Sequence, residues 1–257
     1  MNYGLYLSAA GVLNNLQRQD VIANNLANIN TVGFKPDSVL TRHRLPERLE
    51  SGLFIEPKEL LERLGGGVST NPAFVIQRQG NLIKTENDLD VAINGEGFLL
   101  VAAENAPEAA ARLTRDGRMT INTSGELVMT TTGMRVLDAN NQPISLDPSV
   151  PVEIRSNGQV VQNDVVRATI QLVAPRDPAA LTKVGNNLLR VGSGRQADLR
   201  PATGRLVQRH VESSAVDPIT TLSDMISAAK AAQGNIKMMQ FHDHLMGLAV
   251  NTLGRVA

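Results

Sequence analysis

The sequence predicts an α+β protein. Its N- and C-terminal amphipathic helices form a discontinuous coiled-coil domain around a central antiparallel all-β domain and an irregular connector. Three observations carry this. Apolar residues recur at helical spacing near the start of the chain, and again near its end. Between them the period drops to two, with turn dipeptides at a regular beat. The expected boundaries are 1–35 for the first helix, 36–79 for the connector, 80–214 for the β-domain and 215–257 for the last helix, which pairs with the first.

In the first helix Leu5, Ala9, Val12, Leu16, Ala23 and Leu26 approach a seven-residue repeat, interrupted by Gln19. Asp20, Asn24 and Asn28 lie four apart and form a polar ribbon. Ile22, Leu26 and Ile29 supply an apolar stripe on another face. Asparagine is a poor helix-interior residue, but its amide both donates and accepts, which suits a surface bonded to other helices. A solvated face with an ordinary cap is the plainer alternative. Gly33 suits a left-handed helix terminus, and Pro36 cannot continue a helix.

The connector carries Pro46, Pro57, Pro72 and the flexible triplet Gly65-Gly66-Gly67, with one short helix expected over 57–64. In the β-domain, Leu89-Asp-Val-Ala-Ile93 alternates strictly, and Asn94-Gly95 reads as a hairpin turn. Further turn pairs are Asp116-Gly117, Ser124-Gly125, Thr132-Gly133 and Asn140-Asn141, and Asn157-Gly158-Gln-Val160 is one of the β-like pieces. Short β-like pieces between them predict a meandering antiparallel sheet. After Asp217-Pro218, a plausible N-cap and first helical position, the helical period returns. Leu222, Met225, Ile226, Ala229, Ala232, Ile236 and Met239 line one face, extended by Met246, Val250 and Leu253, and Gly234 weakens the helix internally.

An amphipathic helix alone in water is marginal. Two such ends paired as a hairpin hide only part of each stripe, and the remainder calls for neighbouring copies. A head-to-tail contact of that kind grows a filament rather than closing. The competing arrangement packs both helices on their own sheet in an α+β monomer.

Composition narrows the partners. The 257 residues hold 25 basic and 25 acidic side chains, which cancel. No basic field exists to attract nucleic acid or an anionic membrane. Aromatics are 3% and Trp is absent, which disfavours stacking platforms and an adhesive β-surface alike. Without cysteine there is no disulfide, thiolate metal site or cysteine nucleophile. The apolar run from Phe98 stops at Glu104, too short to span a bilayer, and Asn14, Asn15 and Gln17 break any cleavable signal.

Chemical motifs are weak. His242 and His244 flank Asp243, but residues two apart on a helix diverge and cannot share a metal, so both read as exposed helix polarity. Asp88 and Asp90 read as turn and strand-edge residues, not an acid–base pair. The glycine triplet lacks the lysine of a phosphate loop, and Asn122-Thr-Ser124 straddles a turn. No catalytic residue, cofactor, metal or small-molecule substrate is expected.

Ala23-Asn-Asn-Leu-Ala-Asn-Ile-Asn-Thr-Val-Gly-Phe-Lys35 closely resembles the N-terminal signature of the flagellar basal-body rod and hook family. Leu89-Asp-Val-Ala-Ile-Asn-Gly-Glu-Gly-Phe98, Leu113-Thr-Arg-Asp-Gly117, Ser124-Gly-Glu-Leu-Val128 and Gly185-Asn-Asn-Leu188 resemble further family segments. The chain departs at Leu99, where a second Phe is usual, at Ala215, and at Ala228-Ala-Lys-Ala-Ala232 in place of a Gln-Arg-Ala-Tyr-Glu run. The resemblance implies a non-enzymatic structural subunit of the basal-body rod. It would polymerise with its own copies and other rod and hook axial proteins, and carry torque to the hook. The resemblance also implies signal-less passage through the flagellar export apparatus to the periplasm-spanning rod. The absence of an outer domain favours rod over hook, and the opening Met1-Asn-Tyr-Gly-Leu-Tyr6 favours the proximal rod over the distal one. A distal-rod or hook subunit, a surface adhesin-like β protein and a small hydrolase are the alternatives. The expected assembly interface comprises Leu5, Val12, Leu16, Ile22, Asn24, Asn25, Leu26, Asn28, Gly33 and Phe34, with Leu222, Met225, Ile226, Ala229 and Ile236.

Overall fold

The computed structural model describes residues 3–44, 66–103, 111–191 and 198–253. The expected short helix at 57–64 lies outside them, as do Gly65 and Glu104. The chain divides into two units: Met1–Leu26 with Asp37–Ala73 and Asp217–Ala257, and Ala27–Pro36 with Phe74–Val216. Residues 27–35, expected as the end of the first helix, and Pro36, expected to open the connector, thus go with the β-rich unit.

In the first unit, helix α1 spans Tyr3–Ala27 and helix α2 spans Pro218–Leu253. Asp217 caps α2 as expected, its Oδ1 accepting from the Ile219 and Thr220 amides at 2.9 and 3.3 Å. Residues read as irregular connector form strand β1 (Asp37–Ser38) and an antiparallel ladder between β2 (Thr41–His43) and β3 (Val68–Thr70). The ladder docks on α1 by polar side chains: Thr41 Oγ1 donates to Asn14 Oδ1 at 3.2 Å, and Thr70 Oγ1 to Gln17. Asn25 clamps the start of β1, donating to Asp37 O at 2.8 Å and accepting from Asp37 N at 2.9 Å.

In the second unit come β4 (Phe74–Val75), β5 (Leu82–Lys84), β6 (Val91–Asn94), β7 (Phe98–Ala102), β8 (Arg112–Thr114), β9 (Met119–Ile121), β10 (Leu127–Met129) and β11 (Arg135–Val136). Next follow β12 (Glu153–Ile154), β13 (Gln159–Gln162), β14 (Val165–Thr169), β15 (Leu172–Pro175), β16 (Leu181–Gly185) and β17 (Leu188–Val191). Last are β18 (Leu199–Pro201), β19 (Arg205–Gln208) and β20 (His210–Glu212). Every named pairing between these strands is antiparallel. The main sheet runs β16-β17-β8-β7-β11-β10-β9, with β15 joined to β7 and β18 joined to β15.

β7 is its central member, and its unbroken apolar sequence has a structural reason. Leu99 and Val101 enter one core cluster, while Phe98 and Leu100 enter the other. A strand buried on both faces has no solvent side to require alternation. Leu99, the departure from the family pattern, is fully buried there.

The turns at Ser124-Gly125 and Thr132-Gly133 join paired strands as expected; Asn157-Gly158, read as part of a β-like piece, is also a turn, between β12 and β13, and each glycine has positive φ. Two expected hairpins are not hairpins. β6 does not pair with β7 across Asn94-Gly95 but with β19, and β8 does not pair with β9 across Asp116-Gly117 but with β7 and β17. At both places the chain changes sheet partner. Gly117 permits this because its backbone lies against the Val91 carbonyl, where any Cβ would overlap.

Candidate functional site

The N-terminal signature ends inside the β-unit. Glu212, at the end of β20, is 1% exposed and Lys35 is 2% exposed. Lys35 Nζ lies 2.6 Å from Glu212 Oε1 and also donates to Arg78 O at 2.7 Å. Arg115 Nη1 lies 3.0 Å from Glu212 Oε2, and its Nη2 donates to Gly95 O at 2.8 Å. The guanidinium sits over the Phe98 ring at 5.2 Å. The Gly80 amide also donates to Glu212 Oε1, at 2.8 Å.

Two buried cations thus share one buried carboxylate. Burial and the neighbouring Arg115 charge hold the Lys35 ammonium below its ordinary range, against the pull of Glu212. Burial likewise lowers Arg115, again opposed by Glu212. Such a cluster holds only while its partners are complete, since a lone buried charge is costly.

The backbone closes the same junction. Gly33 N donates to Glu212 O at 2.7 Å, and Ala215 N donates to Phe34 O at 3.0 Å. Arg78 Nη2 donates to Ala215 O at 2.6 Å, and Asn187 Nδ2 to Val32 O at 2.6 Å. The Lys183 ammonium stands 3.9 Å from the Phe34 ring centre. Gly33 is left-handed, with φ +69°, but it does not end α1, which stops at Ala27. It is glycine because the backbone of Arg115 occupies the place of a Cβ, 2.4 Å away. Segments that looked independently family-like therefore converge: Gly33-Phe34-Lys35, Gly95 to Phe98, Arg115 and Asn187. Glu212, at their centre, had no local signal in the sequence. Lys35 and Arg115 did, as charged residues within motifs.

The helices present the opposite picture. On α2 the less exposed positions are Thr221, Met225, Ala228, Ala232, Asn235, Met239, His242 and Met246, with Ala229 beside them. Steps of four and three alternate, a seven-residue rhythm. On α1 the most buried positions are Gly11, Ile22 and Asn25, each one residue before the expected seam positions Val12, Ala23 and Leu26. One residue is about 100° of rotation, so the inward face is smaller and more polar than expected. Gly4 faces His242 and Gly11 faces Asn235, each near enough that a Cβ would touch the opposite side chain. The two contacts lie seven residues apart on each helix and run in opposite directions. His242 is therefore a packed residue rather than simple surface polarity, while His244 is exposed.

The large apolar residues point outward. Ile219 is 81% exposed, Leu222 50% and Ile226 49%. Leu16, Ile236, Phe241, Leu245 and Leu248 are also exposed. Of the residues expected at an assembly interface, Leu16, Asn24, Leu222, Ile226 and Ile236 are exposed. Leu5, Val12, Leu26, Asn28, Met225 and Ala229 are intermediate. Ile22, Asn25, Gly33 and Phe34 are buried within the chain itself, where they serve its own packing. No described helix is long and apolar enough to cross a membrane. A cavity of about 250 Å³ in the β-unit, with Ser156, Thr169 and Gln171 in its wall, is lined by no ionisable side chain.

An α+β chain with a charge-locked β-unit and outward apolar helix faces has the features of a structural scaffold. Comparison with known proteins agrees. The family model described as "Flagella basal body rod protein" matches residues 5–35. The model for the "Flagellar hook protein FlgE/F/G D1 domain" matches 92–162, and that for the "Flagellar basal body rod FlgEFG protein C-terminal" matches 207–252. The chain is 32% identical to the flagellar basal-body rod protein FlgF of Caulobacter vibrioides over 257 residues, covering 100% of both chains. It is 30% identical to FlgF of Mesorhizobium japonicum, covering 99% of each. It is also 30% identical to the flagellar basal-body rod protein FlgG of Borreliella burgdorferi, covering 98% of each. The chain belongs to the flagellar basal-body rod protein family and is a structural subunit of the rod, not an enzyme.

Proposed function

We propose that the subunit polymerises through its terminal helices into the drive shaft that passes torque to the hook. Its partners are further copies of itself and other axial proteins of the rod and hook. The observation that carries this reading is the outward placement of Leu222, Ile226 and their neighbours on a helix whose inward face is small. In a lone molecule these side chains meet water, and burial in an assembly gains about 25 cal/mol per Å² of apolar surface. The glycine contacts of α1 with α2 and the seven-residue rhythm support a discontinuous coiled coil as the polymerising element.

The proximal rod is the favoured position. The support is the opening Met1-Asn-Tyr-Gly-Leu-Tyr6 and the divergent Ala228-Ala-Lys-Ala-Ala232. The distal rod is the second reading, since proteins named FlgF and FlgG match at similar identity. The subunit reaches the periplasmic rod through the flagellar export apparatus.

Introducing Leu222→Asp with Ile226→Asp into the full chain tests polymerisation. Cells should lose rods and swimming, while the purified protein melts within about 1 kcal/mol of wild type, as surface substitutions do. Normal swimming by this strain would refute the reading. Imaging basal bodies from a strain lacking the protein tests its place along the shaft; a missing distal segment with an intact proximal one would reverse the assignment.

A further inference from the structure

We propose that Glu212 is a positioning residue for assembly, gathering Lys35 and Arg115 so that the chain enters and leaves the β-unit at one fixed point. This rests on the reading that the terminal helices make the rod. The three charged residues come from distant parts of the sequence: 97 residues separate Arg115 from Glu212, and 177 separate Lys35 from it. The junction therefore closes only when the start, middle and end of the unit are all in place. On one side, Gly33 to Lys35 follow α1 by a few residues. On the other, Glu212 to Ala215 precede α2 by about as many. The backbone bonds Gly33 N to Glu212 O and Ala215 N to Phe34 O tie these two segments directly.

Stability alone is a poor explanation for such a cluster. Buried ionic triads can often be replaced by apolar side chains with no loss of stability, whereas their best-attested use is to fix one register among alternatives. Here the register is that of the two segments leading to the helices. Apolar packing could fill the same volume, but it would not specify which backbone carbonyl faces which amide. Cations at 35 and 115 and an anion at 212 do specify it, because each misplacement strands a charge in a dry site.

The experiment uses the full chain. A variant combining Lys35→Met, Arg115→Met and Glu212→Leu should fold with a melting transition close to wild type. Its Gly33 and Ala215 amides should exchange with solvent about tenfold faster, because the tie opens locally. Swimming should be lost. Unchanged exchange, or fast exchange with normal swimming, would overturn the proposal. In the unmodified protein, the same two amides should exchange as slowly as those of Val91 and Val101 in the core. Exchange far faster than the core would overturn it even if the triple variant fails to fold. The Leu222→Asp/Ile226→Asp protein separates the two readings. It should keep slow exchange at Gly33 and Ala215; if it also swims, polymerisation through the helices fails while the tie itself stands.

Discussion

Lys35 Nζ meets Glu212 Oε1 at 2.6 Å although 177 residues separate them, and both side chains are almost wholly excluded from water. The pair is not symmetric in its consequences. Glu212 answers two cations, whereas Lys35 is one of two and is already disfavoured in its charged form by burial and by Arg115.

Glu212→Gln should therefore be more damaging than Lys35→Met. The first leaves two buried cations without a counter-charge and should cost about 3–5 kcal/mol. The second leaves Arg115 and Glu212 as a neutral pair and orphans only the Arg78 carbonyl, so it should cost less, about 1–3 kcal/mol. Urea denaturation of both proteins decides the matter, and equal losses would contradict the assigned roles.

Gly33 and Gly133 have nearly the same φ, +69° and +68°, but different surroundings. A Cβ at Gly133 meets nothing within 4 Å, and one at Gly33 would lie 2.4 Å from the Arg115 carbonyl carbon. Gly133→Ala should cost about 1–2 kcal/mol for the backbone conformation alone. Gly33→Ala should cost distinctly more, measured by the same unfolding curve.

Asp217→Ala removes the side-chain acceptor for the first free amides of α2. The expected loss is about 1 kcal/mol of helix stability. Far-ultraviolet circular dichroism on heating should show it as an earlier loss of helix, with Asp217→Asn close to wild type.

Gly234 lies in α2 with nothing near a prospective Cβ, so Gly234→Ala should stabilise the helix by about 0.5–1 kcal/mol. Gly11→Val should do the reverse. Its side chain would collide with Asn235 across the helix pair, and a β-branched residue adds its own helix penalty. Thermal melts of the two proteins should move in opposite directions.

Much of this architecture could be read from residue order. The two helical ends, the β-rich middle, the Asp217 cap and the glycine turns at 125 and 133 all depend on local chemistry, which sequence records. Partner choice does not. Asn94-Gly95 announces a reversal of the chain, but β6 finds β19 more than a hundred residues later, and no dipeptide encodes that. The helix seam shows a second limit. Size suggests that large apolar residues mark the inward face, but apart from Ile22 this face is built of Gly, Ala, Asn and His, with methionines between. Glu212 illustrates the third: a buried carboxylate between Val211 and Ser213 resembles any strand-end polar residue until its cations arrive from elsewhere.

The outward apolar row of α2 bears on how this protein can vary. Replacing Ile219, Leu222 or Ile226 with another side chain scarcely alters the energy of a solitary subunit, because those atoms are wet whichever residue is present. In the polymerisation proposed above, selection senses such a change only through the neighbours packed against that row. Drift along that row should therefore be matched by drift in adjoining shaft proteins, and a subunit transplanted between distant bacteria would fold normally yet fit its host's axis poorly.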